Sequence, residues 1–355
     1  MVKSYEDCVI TDRGGVLENS HLVHAAVVDE TGKLLFYVGN PSRVTLIRSA
    51  AKPAQALAIA ETGALEKYGF EAADLALMCA SHNSEPKHLE RALAMLAKIP
   101  AEETDLRCGG HPSISPSVNQ DWIRAGFSPT RICNNCSGKH IGMIAGAKVI
   151  GASVVDYHEM SHPIQQRVKA VVEELSGLGS ESIQWGIDGC NMPAPALPLK
   201  DLAVIYASFA TAAGEAATGN PESTRIELCA RIFNAMTKHA DQVAGEGRFC
   251  TSFMKLFGGQ AFGKVGADGC YGIGIRSSAS TTRLGAKGTV GIAVKIGDGN
   301  LDILYAAVVE ILERLQIGTP EMIKQLDEFH HKKLQNSMGV VTGKIAFPFQ
   351  LHKCE

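Results

Sequence analysis

Ser49 and Lys52 are separated by two alanines in the segment RSAAKP (residues 48–53), just before the apolar run AQALAIA. A serine hydroxyl becomes a strong nucleophile when a neighbouring base removes its proton. A lysine can be that base when burial or nearby cations lower its pKa from about 10.4 towards roughly 7–8. In the alternative interpretation, Ser49 caps a helix and Lys52 is a solvated charge in its first turn.

The S-x-x-K spacing is weak evidence alone, because the chain contains it three times, at Ser49/Lys52, Ser84/Lys87 and Ser252/Lys255. The second occurrence is explained by helix capping, since Ser84 precedes Pro86 by two residues. Only the first is followed in chain order by an S-x-N motif (residues 81–83) and a K-x-G motif (residues 264–266). This order favours the chemical interpretation.

Together the three motifs resemble the S-x-x-K, S-D-N and K-T-G boxes of penicillin-recognising serine enzymes. In one pocket, Arg48, Lys52 and Lys264 would repel each other's charge and lower the pKa of the lysines. Gly266 and Gly269 would let a strand backbone approach an oxyanion closely. We expect the first motif before a helix, the second after an apolar run and the third before a strand.

Two further motifs suggest metal chemistry. The HEMSH segment (residues 158–162) matches H-E-x-x-H, which needs both histidines on one helical face. Pro163 disfavours helical geometry at His162, so a helix start at Ser161 and Pro163 is favoured over a zinc protease. Cys133 and Cys136 form a single C-x-x-C, which alone predicts no zinc finger.

Cys136 and Cys190 are consistent with either a metal site or a structural role. Cys136 opens a predicted helix, and Cys190 follows Asp188 and Gly189 in a turn rich in glycine and proline. Two such cysteines could meet at a metal, but a structural role is at least as consistent with their spacing. The ten cysteines are scattered over a long chain, and we expect most to be reduced thiols.

The elements that position these residues follow from hydrophobic periodicity and turn signals. Residues 21–40 predict an antiparallel hairpin around Asp29–Gly32, and a helix is expected from near Ser49 to near Gly63. The segment after CSGKH is apolar nearly all round and rich in small residues, which predicts a central, closely packed helix. Further expectations are a loop at 212–223, strands within 269–300, a helix at 301–315 and a last strand within 339–349.

These elements predict an α+β fold with an antiparallel sheet. Strands at both ends of the chain would form the sheet, and a helical insert at roughly 80–240 would pack with it. No linker is long enough to require a domain break, so residues 1–355 are predicted to form a single domain.

Composition and charge exclude several classes of function. The chain has 355 residues, 45% of them apolar, and a formal net charge of −3 without a basic stripe. Nucleic acid and anionic membranes are therefore not expected as partners. The N-terminal segment lacks the apolar core of a signal peptide, and we expect a cytoplasmic protein.

With these segments quoted, the chain resembles the L-asparaginase II family, the zinc-containing class with a serine β-lactamase-like fold. The stretches that carry the resemblance are RSAAKP (48–53), CASHN (79–83), CSGKHIGM (136–143), HPIQ (162–165), DGCNMPAPALPL (188–199) and GKVGADG (263–269). CSGKH followed by DGC is the most distinctive pair.

The resemblance implies two serine–lysine dyads, Ser49 with Lys52 and Ser81 with Lys264. It also implies a zinc site and a substrate site. The zinc ligands would be Cys136, Lys139 and Cys190, and the substrate-binding residues would be Arg48, Asn83, His140, Asp188 and Gly269. A lysine binds a metal only as the neutral amine, and composition alone would not have suggested it.

The activity implied is hydrolysis of L-asparagine to L-aspartate and ammonia through a serine acyl-enzyme, with zinc structural or substrate-positioning rather than catalytic. The alternatives are a glutaminase, another serine-dependent amidase or acyl-transferase of the penicillin-recognising fold, or a catalytically silent amino-acid-binding relative. A homodimer is expected from base rates and from the family.

Overall fold

The computed structural model describes residues 5–219 and 223–355. Its strands are β1 (Cys8–Arg13), β2 (Val16–Asp29), β3 (Leu34–Val38), β4 (Val44–Leu46), β5 (Gln184–Ile187), β6 (Pro193–Pro198), β7 (Ala261–Gly266), β8 (Cys270–Ile275), β9 (Val290–Ile296), β10 (Leu334–Gln335), β11 (Val341–Gly343), β12 (Ile345–Ala346) and β13 (His352–Lys353).

The helices are α1 (Lys52–Ala60), α2 (Ala64–Lys67), α3 (Ala72–Met78), α4 (Pro86–Lys98), α5 (Pro116–Arg124), α6 (Ser137–Val149), α7 (Pro163–Ser176), α8 (Leu199–Ala216), α9 (Thr224–Lys238), α10 (Ala240–Val243), α11 (Phe249–Phe257), α12 (Ala279–Arg283), α13 (Leu301–Arg314), α14 (Pro320–Lys324) and α15 (Asp327–His330). Short 3-10 turns include Arg48–Ala51 and Arg131–Cys133. Among the described residues, no helix combines the length and the apolar character that a membrane crossing requires.

The chain divides into two compact units. The sheet unit consists of residues 1–50, 196–211 and 260–355, and the helical unit consists of residues 51–195 and 212–259. The sheet unit therefore takes its strands from both ends of the chain, as the sequence predicted, and the fold is α+β with antiparallel sheets.

The sheet unit is built on one antiparallel sheet with the strand order β12-β1-β2-β9-β8-β7. The predicted hairpin is confirmed: β2 pairs with β3, which in turn pairs with β13. Every residue of β7 and β8 is buried, including Lys264 in the middle of β7. Lys264 lies opposite Gly272, where a Cβ would approach the ring of Tyr206 to 2.3 Å, so glycine is required at that position.

The helical unit is organised around α6, whose residues 137–147 are all buried. Three of its glycines, four residues apart, lie on one face, where a Cβ would clash with neighbouring helices. At Gly138 it would meet the carbonyl oxygen of Leu77 in α3 at 2.4 Å, and at Gly142 it would meet Ile59 in α1 at 2.9 Å. The predicted central, closely packed helix is confirmed, and the small residues are the reason that α1 and α3 approach so closely.

Three details of the sequence interpretation are wrong. Lys264 lies within β7, not before it. Glu85, not Ser84, is the N-cap residue of α4, and its side chain and that of His88 form a capping box. The loop predicted at 212–223 begins too early, because the largely apolar helix α8 continues to Ala216. Residues 220–222 of that loop, and 1–4 of the N-terminal segment, lie outside the described residues.

Candidate active site

Lys52 is the first residue of α1 and is fully buried in the helical unit. Pro53 follows it in the first turn, where proline is tolerated because those backbone N–H groups have no partner inside the helix. The Nζ atom lies 3.0 Å from Ser81 Oγ and 3.0 Å from Cys136 Sγ, and it also donates to the carbonyl of Ala80. The Nζ atom is therefore held by a hydroxyl, a thiol and a carbonyl.

Ser81 lies in the loop that follows α3. Its backbone N–H donates to the carbonyl of Val243, and the N–H of Asn83 donates to that of Ala244, so the loop is fixed against the end of α10. The Asn83 side chain reinforces this attachment: its amide donates to the Glu246 carbonyl and accepts from Arg248 at 2.9 Å. In the structure Asn83 holds the loop in place, and its predicted contact with substrate stays a prediction.

His82, between Ser81 and Asn83, connects the loop to the start of α6. The N–H of Ser84 donates to His82 Nδ1 at 3.1 Å, so Nε2 carries the proton and donates to Ser137 Oγ at 3.0 Å. Burial holds the pKa of His82 well below its ordinary value, and the imidazole is neutral. Sequence reasoning missed this role, because S-x-N leaves its middle residue unspecified.

Cys136, Lys139 and Cys190 form a buried cluster in the helical unit. Lys139 Nζ lies 3.1 Å from Cys190 Sγ, and the two thiols share a hydrogen bond. This bond, with burial, raises the pKa of Cys136 to about 12, whereas the hydrogen bond from Cys136 and the charge of Lys139 hold the pKa of Cys190 well below its usual range. Local structure explains the convergence, since Cys136 and Lys139 are one helical turn apart.

This donor set fits a zinc ion. The Cys136 and Cys190 sulfurs and the Lys139 nitrogen converge from the start of α6 and from the turn at residues 188–192. The depressed pKa of Cys190 favours the thiolate, the form that binds metal, and Lys139 would have to lose its proton to become a ligand. These three residues would hold a zinc ion, which would supply a positive charge at this cluster.

His140, the next residue of α6, is fully buried and hydrogen-bonded through Nδ1 to the Tyr157 hydroxyl at 2.6 Å. That hydroxyl accepts the N–H of Arg107 at 2.8 Å, so its own proton goes to Nδ1 and His140 keeps its proton on Nε2. Burial lowers the pKa of His140 to about 3, which makes the imidazole neutral. Tyr157 was not predicted, since no local motif marks it.

Asp188 and Cys190 lie in one tight turn. Asn191 N donates to the Asp188 carbonyl, Asp188 N donates to that of Met192, and Asn191 has a positive φ of 69°. This turn directs the thiol of Cys190 into the interior, while Asp188 remains half-buried. Asparagine tolerates this left-handed conformation better than most residues, so it suits the turn.

The other predicted residues lie in the sheet unit. Arg48 has a positive φ of 51° and pairs with Asp268 at 2.5 Å, in the hairpin turn that contains Gly269. The fully buried Lys264 donates through Nζ to the carbonyl of Val265 at 2.7 Å. Ser49 is half-buried in the turn Arg48–Ala51, and its hydroxyl has no hydrogen bond within the described residues. Sequence analysis did not identify Asp268 as the partner of Arg48.

The H-E-x-x-H segment is not a helical metal motif. His162 is the N-cap residue of α7: its Nδ1 accepts from Ile164 N at 3.1 Å and its Nε2 donates to the Ser153 carbonyl at 2.8 Å. Both ring nitrogens are therefore used structurally, and His158 lies outside the helix, in agreement with the predicted helix start at Pro163.

Comparison with known proteins gives the class of the chain. The sequence model described as L-asparaginase II matches residues 9–347, nearly the whole chain, so the protein belongs to the L-asparaginase II family. A search of curated proteins finds no significant match. Membership makes the chain an amidohydrolase of a small-molecule substrate.

Proposed function

We propose that this protein hydrolyses L-asparagine to L-aspartate and ammonia. The observation that carries the proposal is Lys52: a fully buried lysine of the RSAAKP motif, hydrogen-bonded to a serine hydroxyl and a thiol, in a member of the L-asparaginase II family. A buried amine so placed is suited to accept a proton from a hydroxyl.

In the proposed reaction, Ser49 attacks the side-chain amide carbon and gives its proton to Lys52. The tetrahedral oxyanion rests on backbone N–H groups, and the Ser81–Lys264 pair passes a proton to the departing ammonia. The Ser49 ester of the β-carboxyl group is then hydrolysed by water, which regenerates the serine and releases aspartate.

Ser81 is the rival nucleophile within the same reaction. Lys52 Nζ donates to Ser81 Oγ at 3.0 Å, whereas the family resemblance implies a pair of Ser81 with Lys264. If Ser81 were the nucleophile, Ser49→Ala would retain turnover and Ser81→Ala would lose the acyl-enzyme. Trapping the acyl-enzyme by rapid acid quench and locating it by mass spectrometry distinguishes the two serines.

We propose that residues of the family motifs recognise the substrate. Arg48 would bind the α-carboxylate and Asp188 the α-ammonium group, with Asn83, His140 and Gly269 as further contacts. The neutral His140, with its proton on Nε2, would act as a hydrogen-bond donor rather than as a cation. Cys136, Lys139 and Cys190 would hold zinc, which supplies a positive charge that positions substrate and stabilises the site.

The wider proposal is a cytoplasmic homodimer with one serine β-lactamase-like domain. The proposed reaction is tested with L-asparagine, L-glutamine and a chromogenic β-lactam at equal concentration. Ammonia from asparagine well above that from glutamine supports the proposal. Faster glutamine turnover indicates a glutaminase, β-lactam cleavage indicates an acyl-transferase, and a thermal shift with asparagine but no ammonia indicates a silent binding protein.

A further inference from the structure

Besides the candidate active site, the sheet unit contains a second group of metal-ligating side chains, in and beside α15. One carboxylate oxygen of Asp327 and one imidazole nitrogen each of His330 and His331 lie within 4.8 Å of one another. We propose that these three residues bind a divalent transition-metal ion, with Zn²⁺ as the expected species. The proposal is independent of the proposed function.

The one-turn helix α15 explains the arrangement. Asp327 precedes His330 by three residues and His331 by four, the two spacings that bring side chains together on a helix. The chain leaves the helix at His331, which brings the two imidazole rings to a centroid distance of 3.9 Å. Asp327 Oδ1 accepts from His331 Nδ1 at 2.6 Å, so a carboxylate is already directed at this pair of rings.

Glu310 of α13 orients His330. The His330 ring is only 2% exposed, and its Nε2 donates to Glu310 Oε2 at 2.8 Å. In a neutral imidazole this leaves the lone pair on Nδ1, which has no hydrogen-bond partner within residues 5–219 and 223–355. Metal-binding histidines almost always donate their other N–H to a carboxylate or carbonyl in this way.

The surroundings combine a fixed apolar side with an open side. Phe347 packs against His330 at 5.1 Å between ring centroids, and Arg314 donates to the carbonyl of Phe347 at 2.7 Å and to Glu310 Oε1 at 2.6 Å. His331 and Asp327 are more than half exposed, so an ion can reach them from solvent.

Ligand chemistry selects the metal. Two imidazoles and one carboxylate suit Zn²⁺, Co²⁺, Ni²⁺ or Cu²⁺, whereas Mg²⁺ and Ca²⁺ prefer all-oxygen sites. Glu310, Glu313 and His330 also lie within ligand distance of one another, which places further negative charge beside the ion. Water would complete the coordination, and the bound ion would fasten α15 to α13.

The test measures Zn²⁺ binding to the full-length Cys190→Ser variant, so that the thiol cluster does not contribute. Isothermal titration with zinc chloride should give one site per chain. In this background His331→Ala should raise Kd at least tenfold, and Glu310→Gln should raise it about 10–100-fold. His331 is exposed, so its removal leaves the core intact; His352→Ala, another exposed histidine of the sheet unit, is the matched control and should not change Kd.

Three outcomes overturn the proposal. The first is that the Cys190→Ser chain takes up no zinc. The second is that His331→Ala binds zinc as tightly as its parent, and the third is that His352→Ala weakens binding equally. A thermal melt of each variant without metal verifies that it is folded, so a loss of binding is not mistaken for a loss of structure.

Discussion

Two buried charged clusters in the helical unit differ in the partners of their cations. Asp74, 2% exposed, accepts from Lys98 at 2.7 Å and from Arg91 at 2.8 Å, so a buried anion is paired with two cations that both reach solvent. In the other cluster, the fully buried Lys52 donates to a hydroxyl, a thiol and a carbonyl, and Lys139 donates to the thiol of Cys190.

This difference indicates a structural role for the Asp74 cluster and a role in catalysis for the Lys52 cluster. Removing one partner of a matched buried ion pair costs stability, because the other charge is left behind. Burying a lysine against hydroxyl and thiol groups is costly for the fold, but it keeps an amine close to groups that exchange protons. The first cluster should therefore affect stability and the second activity.

Lys52→Met gives the largest expected effect on activity. Methionine fills the space of the lysine stem without its amine, so ammonia release from L-asparagine should fall about 10²–10⁴-fold. The free energy of unfolding in urea should fall by no more than about 1 kcal/mol, because a buried polar group is replaced by an apolar group of similar volume. A loss of several kcal/mol in the free energy of unfolding would show that Lys52, like Asp74, is a structural residue. It would contradict the proposed difference between the two clusters.

Cys190→Ser tests the thiol cluster and has the next largest expected effect. After gel filtration the variant should retain one zinc per chain fewer than wild-type protein, because the site beside α15 is unaffected. Zinc content is measured by atomic emission in protein purified with and without added zinc. Because the proposed metal positions substrate, KM should rise at least about tenfold while kcat changes less. Cys229→Ser, a buried thiol elsewhere in the helical unit, is the control. Equal zinc content in wild type and Cys190→Ser would contradict the assignment.

Asp74→Asn should leave kcat and KM unchanged per folded molecule and lower the free energy of unfolding by about 2–3 kcal/mol at pH 7. Burial raises the pKa of Asp74, but hydrogen bonds from Lys98, Arg91 and the Glu71 backbone lower it more, to a net value below 3.8. A carboxyl group whose pKa is depressed in the folded state contributes its full stabilisation at pH values above its pKa in the unfolded state. It loses that stabilisation as the pH falls through its pKa in the folded state.

The urea-unfolding difference between wild type and Asp74→Asn should therefore be constant above about pH 5 and shrink below about pH 4. If the difference in the free energy of unfolding grew as the pH fell, the pKa of Asp74 would be raised by folding and not lowered. A clear loss of catalysis in Asp74→Asn would show that the two clusters are not separable.

Much of the fold follows from periodic patterns. The hairpin β2–β3, the helix α13 and the buried α6 were predictable, because alternation, a 3.6-residue period and a run of small residues are local signals. The N-cap of α4 was not predictable, because the Ser84 hydroxyl donates to the carbonyl of Cys133 and Glu85 forms the capping box with His88 instead.

The residues of the candidate site that belong to local sequence motifs were predictable. Those that meet the motif residues only through tertiary contacts were not. Residue types and order singled out Lys52 and Cys136 with their motifs. Tyr157 and Asp268 came only from the structure, because a hydroxyl that fixes the tautomer of His140 and a carboxylate that holds Arg48 are 17 and 220 residues away in sequence. Such pairings depend on tertiary contacts that one sequence does not encode locally.

The central claim is tested most directly by ammonia release from L-asparagine, measured side by side for wild type, Ser49→Ala and the control Ser252→Ala. Wild type and Ser252→Ala should both release ammonia, and Ser49→Ala, folded by its thermal melt, should release none above the uncatalysed rate. Turnover retained in Ser49→Ala would contradict the assignment of the nucleophile. No ammonia from folded wild type would contradict the proposed reaction.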